Sequence, residues 1–291
     1  MRIAESELIV NPDGSIYHLN LLPSDIADTV IFVGDPGRVS MVSKYFDTIE
    51  VKKEKREFVT HTGVFNGKRL SVISTGIGPD NIDIAMNELD ALVNIDLHKR
   101  EVKKEHTALN IIRIGTSGGT IEALGVDSFL LSEYAIGFDG LLHYYQSEHV
   151  QEKAMQEAFI EHTDWYKEHA TPYVVKYDKK LGDKLISEKV HLGFTGTNIG
   201  FYGPQGRTLR IPVQDEGFHE KLASFEYQGK RITNLEMETS TIYGMAALLG
   251  HSACSMNCII ANRASGTFSE DYQKSVDKLI KYTLERLTSW L

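Results

Sequence analysis

The chain has 291 residues, 42% hydrophobic and 24% charged, the balance of a globular protein with a sizeable core and not of a disordered one. A net charge of −9 argues against a dedicated nucleic-acid binder. The N-terminus lacks the pattern of a signal peptide and no apolar run is long enough to span a bilayer, so no membrane role is expected and the expected location is the cytoplasm.

No Pro/Gly/Ser-rich linker divides the chain, so residues 1–291 read as one domain. Residues 1–29 form an arm without strong periodicity. Within it Pro23-Ser24-Asp25 is a helix-start signal, and a lone histidine such as His18 is ordinarily structural or solvated. Val30–Val33 is a buried strand running into Gly34-Asp35-Pro36-Gly37-Arg38, and Val39, Val42, Ser43 and Phe46 suggest a short helix beyond. Glycines let backbone N–H groups approach an anion, and Arg38 adds a forked cationic donor. A Gly-Asp-Pro-Gly run taken alone is more often a tight turn.

Residues 51–73 read as antiparallel strands joined at Asn66-Gly67, with Arg56 in a charge-rich stretch that resembles ordinary surface. Leu70–Ile73 then runs into Ser74-Thr75-Gly76-Ile77-Gly78-Pro79, and Ile84, Met86, Leu89 and Leu92 mark a helix. The charged run from His98 to His106 reads as a solvated helix end or an insertion. A third junction, Ile111-Ile112-Arg113-Ile114-Gly115-Thr116-Ser117-Gly118-Gly119, carries an arginine inside an otherwise apolar strand. Burying that charge alone is expensive, so Arg113 needs a partner.

Three strand ends thus carry glycine-rich loops, and two of these junctions also carry an arginine. In open α/β sheets ligands bind outside the carboxyl ends of strands. Arginines, glycine N–H groups and Thr116 together point to an oxyanion, with phosphate the leading choice. Dinucleotide and P-loop signatures are missing, and no metal-ligand set stands out in the sequence.

Residues 129–190 carry little signal. Val190–Phe194 is strand-like, and Phe201-Tyr202-Gly203-Pro204-Gln205-Gly206-Arg207 follows. An aromatic pair with Gln and Arg can stack on a base and hydrogen-bond its edge, although a surface loop with incidental aromatics is as common. Glu236 and Glu238 then bracket Met237 where a strand or loop turns into a helix, marked by Ile242, Met245, Ala246 and Leu249 and ended by Gly250. The two carboxylates either stabilise the helix N-terminus or serve a ligand. Cys254 and Cys258 face one way on an apolar strand, as buried reduced thiols. That strand ends at Asn262-Arg263, and an amphipathic helix closes the chain from Tyr272 to Leu291.

The ordered set GDPGR (34–38), REF (56–58), STGIG (74–78), RIGTSGG (113–119), FYGPQGR (201–207), NLEMETS (234–240) and NR (262–263) resembles the nucleoside phosphorylase family, and within it uridine phosphorylases. The resemblance implies a single α/β domain, a three-layer sandwich with a central mixed β-sheet flanked by helices. It also implies a homo-oligomer, a dimer or a hexamer of dimers, with active sites shared between subunits and the arm 1–29 at the interface. By motif, Gly34, Arg38, Arg113 and Thr116 hold phosphate, with Arg56 arriving from a neighbouring subunit. Glu238 grips the ribose hydroxyls, Met237 lines the sugar, and His18 of a neighbour reaches the 5′-hydroxyl. Gln205 and Arg207 read the base edge beside Phe201, supported by Arg263.

Inorganic phosphate is then a co-substrate and no other cofactor is implied. Glu57, Ile77 and a serine help hold potassium in some relatives, but Pro79-Asp80-Asn81 replaces the run with that serine, which counts against a potassium site. Purine phosphorylases and nucleosidases of the family carry a catalytic Asp shortly after the last strand, whereas Ala264-Ser265-Gly266-Thr267 has none. The expected activity is phosphorolysis of a pyrimidine nucleoside, uridine first. The rival readings are a purine-directed phosphorylase or nucleosidase of this fold, or a non-catalytic nucleoside- or phosphate-binding protein.

Overall fold

The computed structural model describes residues 2–289. Thr29–Val33 forms β1, buried at every position, and α1 (Pro36–Ser43) starts directly behind it. β2 (Thr48–Lys55), β3 (Phe58–Phe65) and β4 (Lys68–Ser74) follow as an antiparallel run, the last two joined at Asn66-Gly67 as the sequence predicts. α2 (Pro79–Asn94), a small hairpin of β5 (Ile95–Asp96) and β6 (Glu101–Val102), and the long strands β7 (Asn110–Gly119) and β8 (Phe129–Gly137) come next. α3 (Lys153–Thr163), β9 (Tyr173–Lys176), α4 (Lys179–Gly182) and β10 (Val190–Thr197) lead to α5 (Phe218–Ser224), β11 (Glu226–Tyr227) and β12 (Lys230–Glu236). α6 (Thr239–Leu249), β13 (Ser252–Asn262), β14 (Thr267–Phe268) and α7 (Tyr272–Thr288) complete the described chain.

The main sheet is mixed, in the order β11-β12-β10-β8-β13-β7-β1-β4-β3-β2. Strands β4, β1, β7 and β13 run parallel, and β8, β10 and β12 run parallel to one another against that direction. An extra pairing of β12 with β7 closes β7, β13, β8, β10 and β12 into a ring. β7 makes this possible by its length. Its first residues pair with β1, while Gly118 and Gly119 at its end pair with Leu235 and Asn234 of β12. Gly119 has no room for a side chain there, since a Cβ would fall 2.9 Å from the Asn262 amide.

Helices cover both faces. α2 and α6 enclose a core with Phe32, Met86, Leu89, Leu92, Ile242 and Met245. α1 and α7 enclose one with Val39, Val42, Ile112, Met256, Leu279 and Leu284. Each fully buried aliphatic side chain in these layers contributes about 1.5–3 kcal/mol of transfer free energy. The first eight residues of α6 are all buried, which accounts for a helix apolar or small around its circumference. Gly250 ends it at φ 76° and returns its N–H to the last carbonyls, as predicted. Leu291, which the sequence placed on the closing helix, lies outside the described residues.

Two local expectations need correction. Pro23–Asp25 makes only a three-residue 3-10 turn, because Ile26 is already extended and the chain runs straight on to β1. The segment around His98 is a hairpin, not a helix end. Asp96 Oδ1 accepts the N–H groups of His98 and Lys99 and closes the turn, and the N-terminal arm docks on it through Ile3 N–H and Arg100 O.

Candidate active site

The antiparallel contact of β12 with β7 carries the residues that follow β12 back alongside Arg113. There the two carboxylates part company. Glu236 serves the helix: its oxygens accept N–H bonds from Glu238 and Thr239 at 2.9 Å, and the hydroxyls of Thr239 and Thr197 at 2.9 and 2.6 Å. Glu238 turns the other way, taking Gly78 N–H on Oε1 at 2.9 Å and Arg113 Nη2 on Oε2 at 2.6 Å. The helix-terminus reading therefore holds for Glu236, while Glu238 faces Gly78 and Arg113.

Arg113 is 5% exposed, and its charge is met by Glu238, by Glu236 at 3.1 Å and by Asn257 Oδ1 at 2.8 Å. The guanidinium folds over Gly115, where a Cβ would stand 2.0 Å from Nη1, so only glycine fits. Burial acts against the charge of Arg113, but Glu236 and Glu238 outweigh it and hold its pKa above the ordinary value. Burial pushes Glu238 upward too; Arg113 opposes this shift and Glu236 adds to it. The two upward shifts pull apart, one favouring and one opposing the ion pair. The Arg113 shift follows from two carboxylates sharing one guanidinium, the Glu238 shift first from burial.

Arg38 brings a second positive charge near Glu238. It stands in the first turn of α1, whose N-cap Asp35 accepts Gly37 N–H, and its Nη1 reaches Ile114 O at 3.4 Å. Its pKa is lowered by burial first and then by the nearby Arg113. Two arginines held together in spite of that repulsion make a seat for an anion. Gly34 packs against the carbonyl of Gly76, and Gly78 at φ 105° turns its N–H to Glu238, so both glycine loops meet here. Thr116 follows on β7, partly exposed, and Met237 is half-buried between β12 and α6.

Arg56 and His18 stand apart from this cluster. Arg56 occupies the β2–β3 turn at φ 55°, exposed and with no hydrogen bond or ion pair among the described residues. His18 is bound through Nδ1 to Glu88 at 2.6 Å.

The four base-reading candidates form a second cluster. Gln205 is 3% exposed; its Oε1 accepts from Arg207 Nη1 and its Nε2 donates to Gly200 O at 3.2 Å. An arginine only donates, so this contact fixes the orientation of the amide. The Arg207 guanidinium lies 3.9 Å from the Phe201 ring centre, and Arg263 Nη1 donates to Gln205 O at 2.7 Å. Arg263 also donates to Nδ1 of His219 at 3.2 Å. Burial, then Arg263, lowers the His219 pKa to about 4, so it accepts as a neutral ring. Burial and Arg207 together lower Arg263 to about 10. His219 escaped the sequence reading because a single histidine in a polar stretch carries no spacing signal. The loop joins the first cluster at its root, where Asn198 N–H donates to Glu236 O.

A cleft of about 820 Å³ lies against this loop, walled by Tyr202, Pro204 and Arg207 on one side and Trp165, Ile211 and Phe218 elsewhere. Neither Arg113 nor Glu238 lines it. The buried charges mark the reacting end better than the volume does, because such charges need a use to offset their desolvation.

Among the described residues, one other group of side chains has metal-ligand chemistry. Asp90, His106 and His251 bring one ligand atom each within 4.8 Å of one another. Two of the ring nitrogens already face backbone groups. Leu109 N–H donates to His251 Nδ1, which puts that ring's proton on Nε2 toward Asp90, and His106 Nε2 faces Leu249 O at 2.9 Å. Among the described residues no helix is long and apolar enough to cross a membrane.

A mixed α/β sheet brings one buried arginine, one partly buried arginine and a buried carboxylate together at glycine-rich strand ends. The chain belongs to the phosphorylase superfamily, whose family model matches residues 28–288. It is similar to a uridine phosphorylase of Thermococcus kodakarensis, 27% identical over 96% of this chain and 88% of that one. A DeoD-type purine nucleoside phosphorylase of Colwellia psychrerythraea is 26% identical over 92% and 97%. Among solved structures, a Trypanosoma brucei nucleoside phosphorylase described as showing uridine phosphorylase activity superimposes with a TM-score of 0.87. It is 30% identical and the match covers 97% of this chain and 99% of that one.

Proposed function

We propose that the protein catalyses reversible phosphorolysis of uridine to uracil and ribose 1-phosphate in nucleoside catabolism and pyrimidine salvage. The observation that carries this is the buried Arg113, bridged to Glu238 and set beside Arg38. Arg38 and Arg113, with the Gly34 loop and Thr116, orient phosphate, and Glu238 takes the ribose hydroxyls beside Met237. One phosphate oxygen bonds to C1′ as the C1′–N1 bond breaks, and its electron pair leaves with the base. Negative charge gathers on the base carbonyls, where Arg207 and Gln205 supply donors. Glu238 offsets the positive charge that develops on the sugar. Positioning and electrostatics carry the rate, with no covalent enzyme intermediate, no metal and no organic cofactor in the reaction.

The working unit in this reading is a cytoplasmic homo-oligomer. Arg56, without a side-chain partner among the described residues, and His18 on the arm serve the site of a second copy, which makes a two-fold dimer the smallest active form. The relatives include purine phosphorylases, but the loop 264–267 carries no acid to protonate a purine N7.

Base choice tests the reading. Arg207 offers only donors, which suit the O4 of uracil and face the amino group of cytosine unpaired. Leaving a buried polar group unpaired costs about 1–3 kcal/mol. Uridine is expected above cytidine, inosine and adenosine in kcat/KM, and Arg207→Ala is expected to lower the uridine value roughly tenfold to a hundredfold and narrow the gap to cytidine. A wild-type preference for inosine or adenosine would contradict the pyrimidine assignment.

A further inference from the structure

Glu88 lies in the third turn of α2, and all its recorded bonds go to one dipeptide of the N-terminal arm. Its carboxylate accepts the His18 N–H at 2.9 and 3.0 Å, the Leu19 N–H at 2.8 Å and the His18 ring Nδ1–H at 2.6 Å. Anchoring the arm needs only the two backbone bonds, with the Leu19 side chain fully buried beneath them. The third bond sets the ring. A carboxylate only accepts, so Nδ1 carries a proton, and a ring with no second proton presents Nε2 as a bare acceptor. Nε2 has no partner among the described residues, on a side chain 27% exposed.

The same helix begins at the reacting cluster, since Gly78 just before it donates to Glu238. Glu88 comes ten residues later, about 15 Å along the axis at 1.5 Å per residue. That is farther than one ribose extends, which suits a His18 that serves the site of a second copy.

We propose that Glu88 is a positioning residue for ribose recognition. It fixes the His18 tautomer so that Nε2 accepts the 5′-hydroxyl of a nucleoside bound by a second copy of the chain. The inference rests on the functional reading above, in which His18 reaches that hydroxyl. Glu88→Gln keeps an oxygen for the backbone N–H groups. Its amide donates to Nδ1, so the ring proton moves to Nε2 and the acceptor is lost.

The test compares kcat/KM for uridine and 5′-deoxyuridine, which lacks the 5′-hydroxyl, in wild type, Glu88→Gln, His18→Ala and the double variant. Turnover of 5′-deoxyuridine also reports that the sites are folded. The ratio of uridine to 5′-deoxyuridine is expected to fall about tenfold in Glu88→Gln, the scale of one lost hydrogen bond, and no further in the double variant than in His18→Ala. If His18→Ala lowers the ratio while Glu88→Gln leaves it at the wild-type value, the positioning role is overturned and the His18 reading stands. If His18→Ala leaves the ratio alone, the His18 reading fails and the role of Glu88 fails with it.

Discussion

Arg113→Ala is expected to reduce kcat/KM for uridine by at least about a thousandfold, the upper end of the loss from removing one preorganised donor in a buried site. The side chain touches Glu236, Glu238 and Asn257, so its removal takes from two buried carboxylates the cation bonded to them. Breaking a buried pair in this way costs about 3–5 kcal/mol of stability. Loss of activity from that variant alone would therefore mix folding with catalysis. Arg113→Lys separates them, because it keeps the charge and loses the fork that engages carboxylate and oxyanion together. A folded Lys variant, judged by its melting temperature, is expected to lose at least about a hundredfold in kcat/KM. Near wild-type turnover would show that Arg113 is a structural counter-ion only.

Glu238→Gln is expected to move stability and activity in opposite directions. Burial and Glu236 raise the Glu238 pKa against the pull of Arg113. A carboxyl whose folded pKa lies above its unfolded one favours the folded state at low pH and loses that advantage as pH rises toward the folded pKa. Above the unfolded carboxyl range the buried acid is a net cost, and the amide removes it while still accepting from Gly78 and leaving Glu236 to pair with Arg113. The variant should thus melt no lower than wild type, and higher in relative terms at pH 8 than at pH 5. Its kcat/KM is expected to fall roughly a hundredfold to a thousandfold, because the carboxylate that meets the positive charge on the sugar is gone. A lower melting temperature with unaltered kcat/KM would assign Glu238 to the fold alone.

The sequence signalled these residues unevenly, for physical reasons. Arg113 was legible because a charge inside an apolar strand demands a partner, and the partner proved to be Glu238. Gly250 and the hairpin at Asn66-Gly67 were legible because left-handed backbone has few residues to choose from. The division of labour between Glu236 and Glu238 was not, since both fit the start of a helix equally well and only the pairing of β12 with β7 separates them. Ring closure itself joins strands more than 110 residues apart, which local periodicity does not encode. Arg56 looked like surface, and by itself is surface; the resemblance alone supplied its role. Glu88 and His219 escaped notice because a single polar residue is silent until its partner is known.

The central claim is that phosphate, not water, attacks the nucleoside, and the direct measurement is uracil release from uridine with and without inorganic phosphate. The account predicts release that saturates with phosphate, matches ribose 1-phosphate mole for mole and stops in phosphate-free buffer. Equal release without phosphate, with free ribose as the product, would contradict it and make the protein a hydrolase.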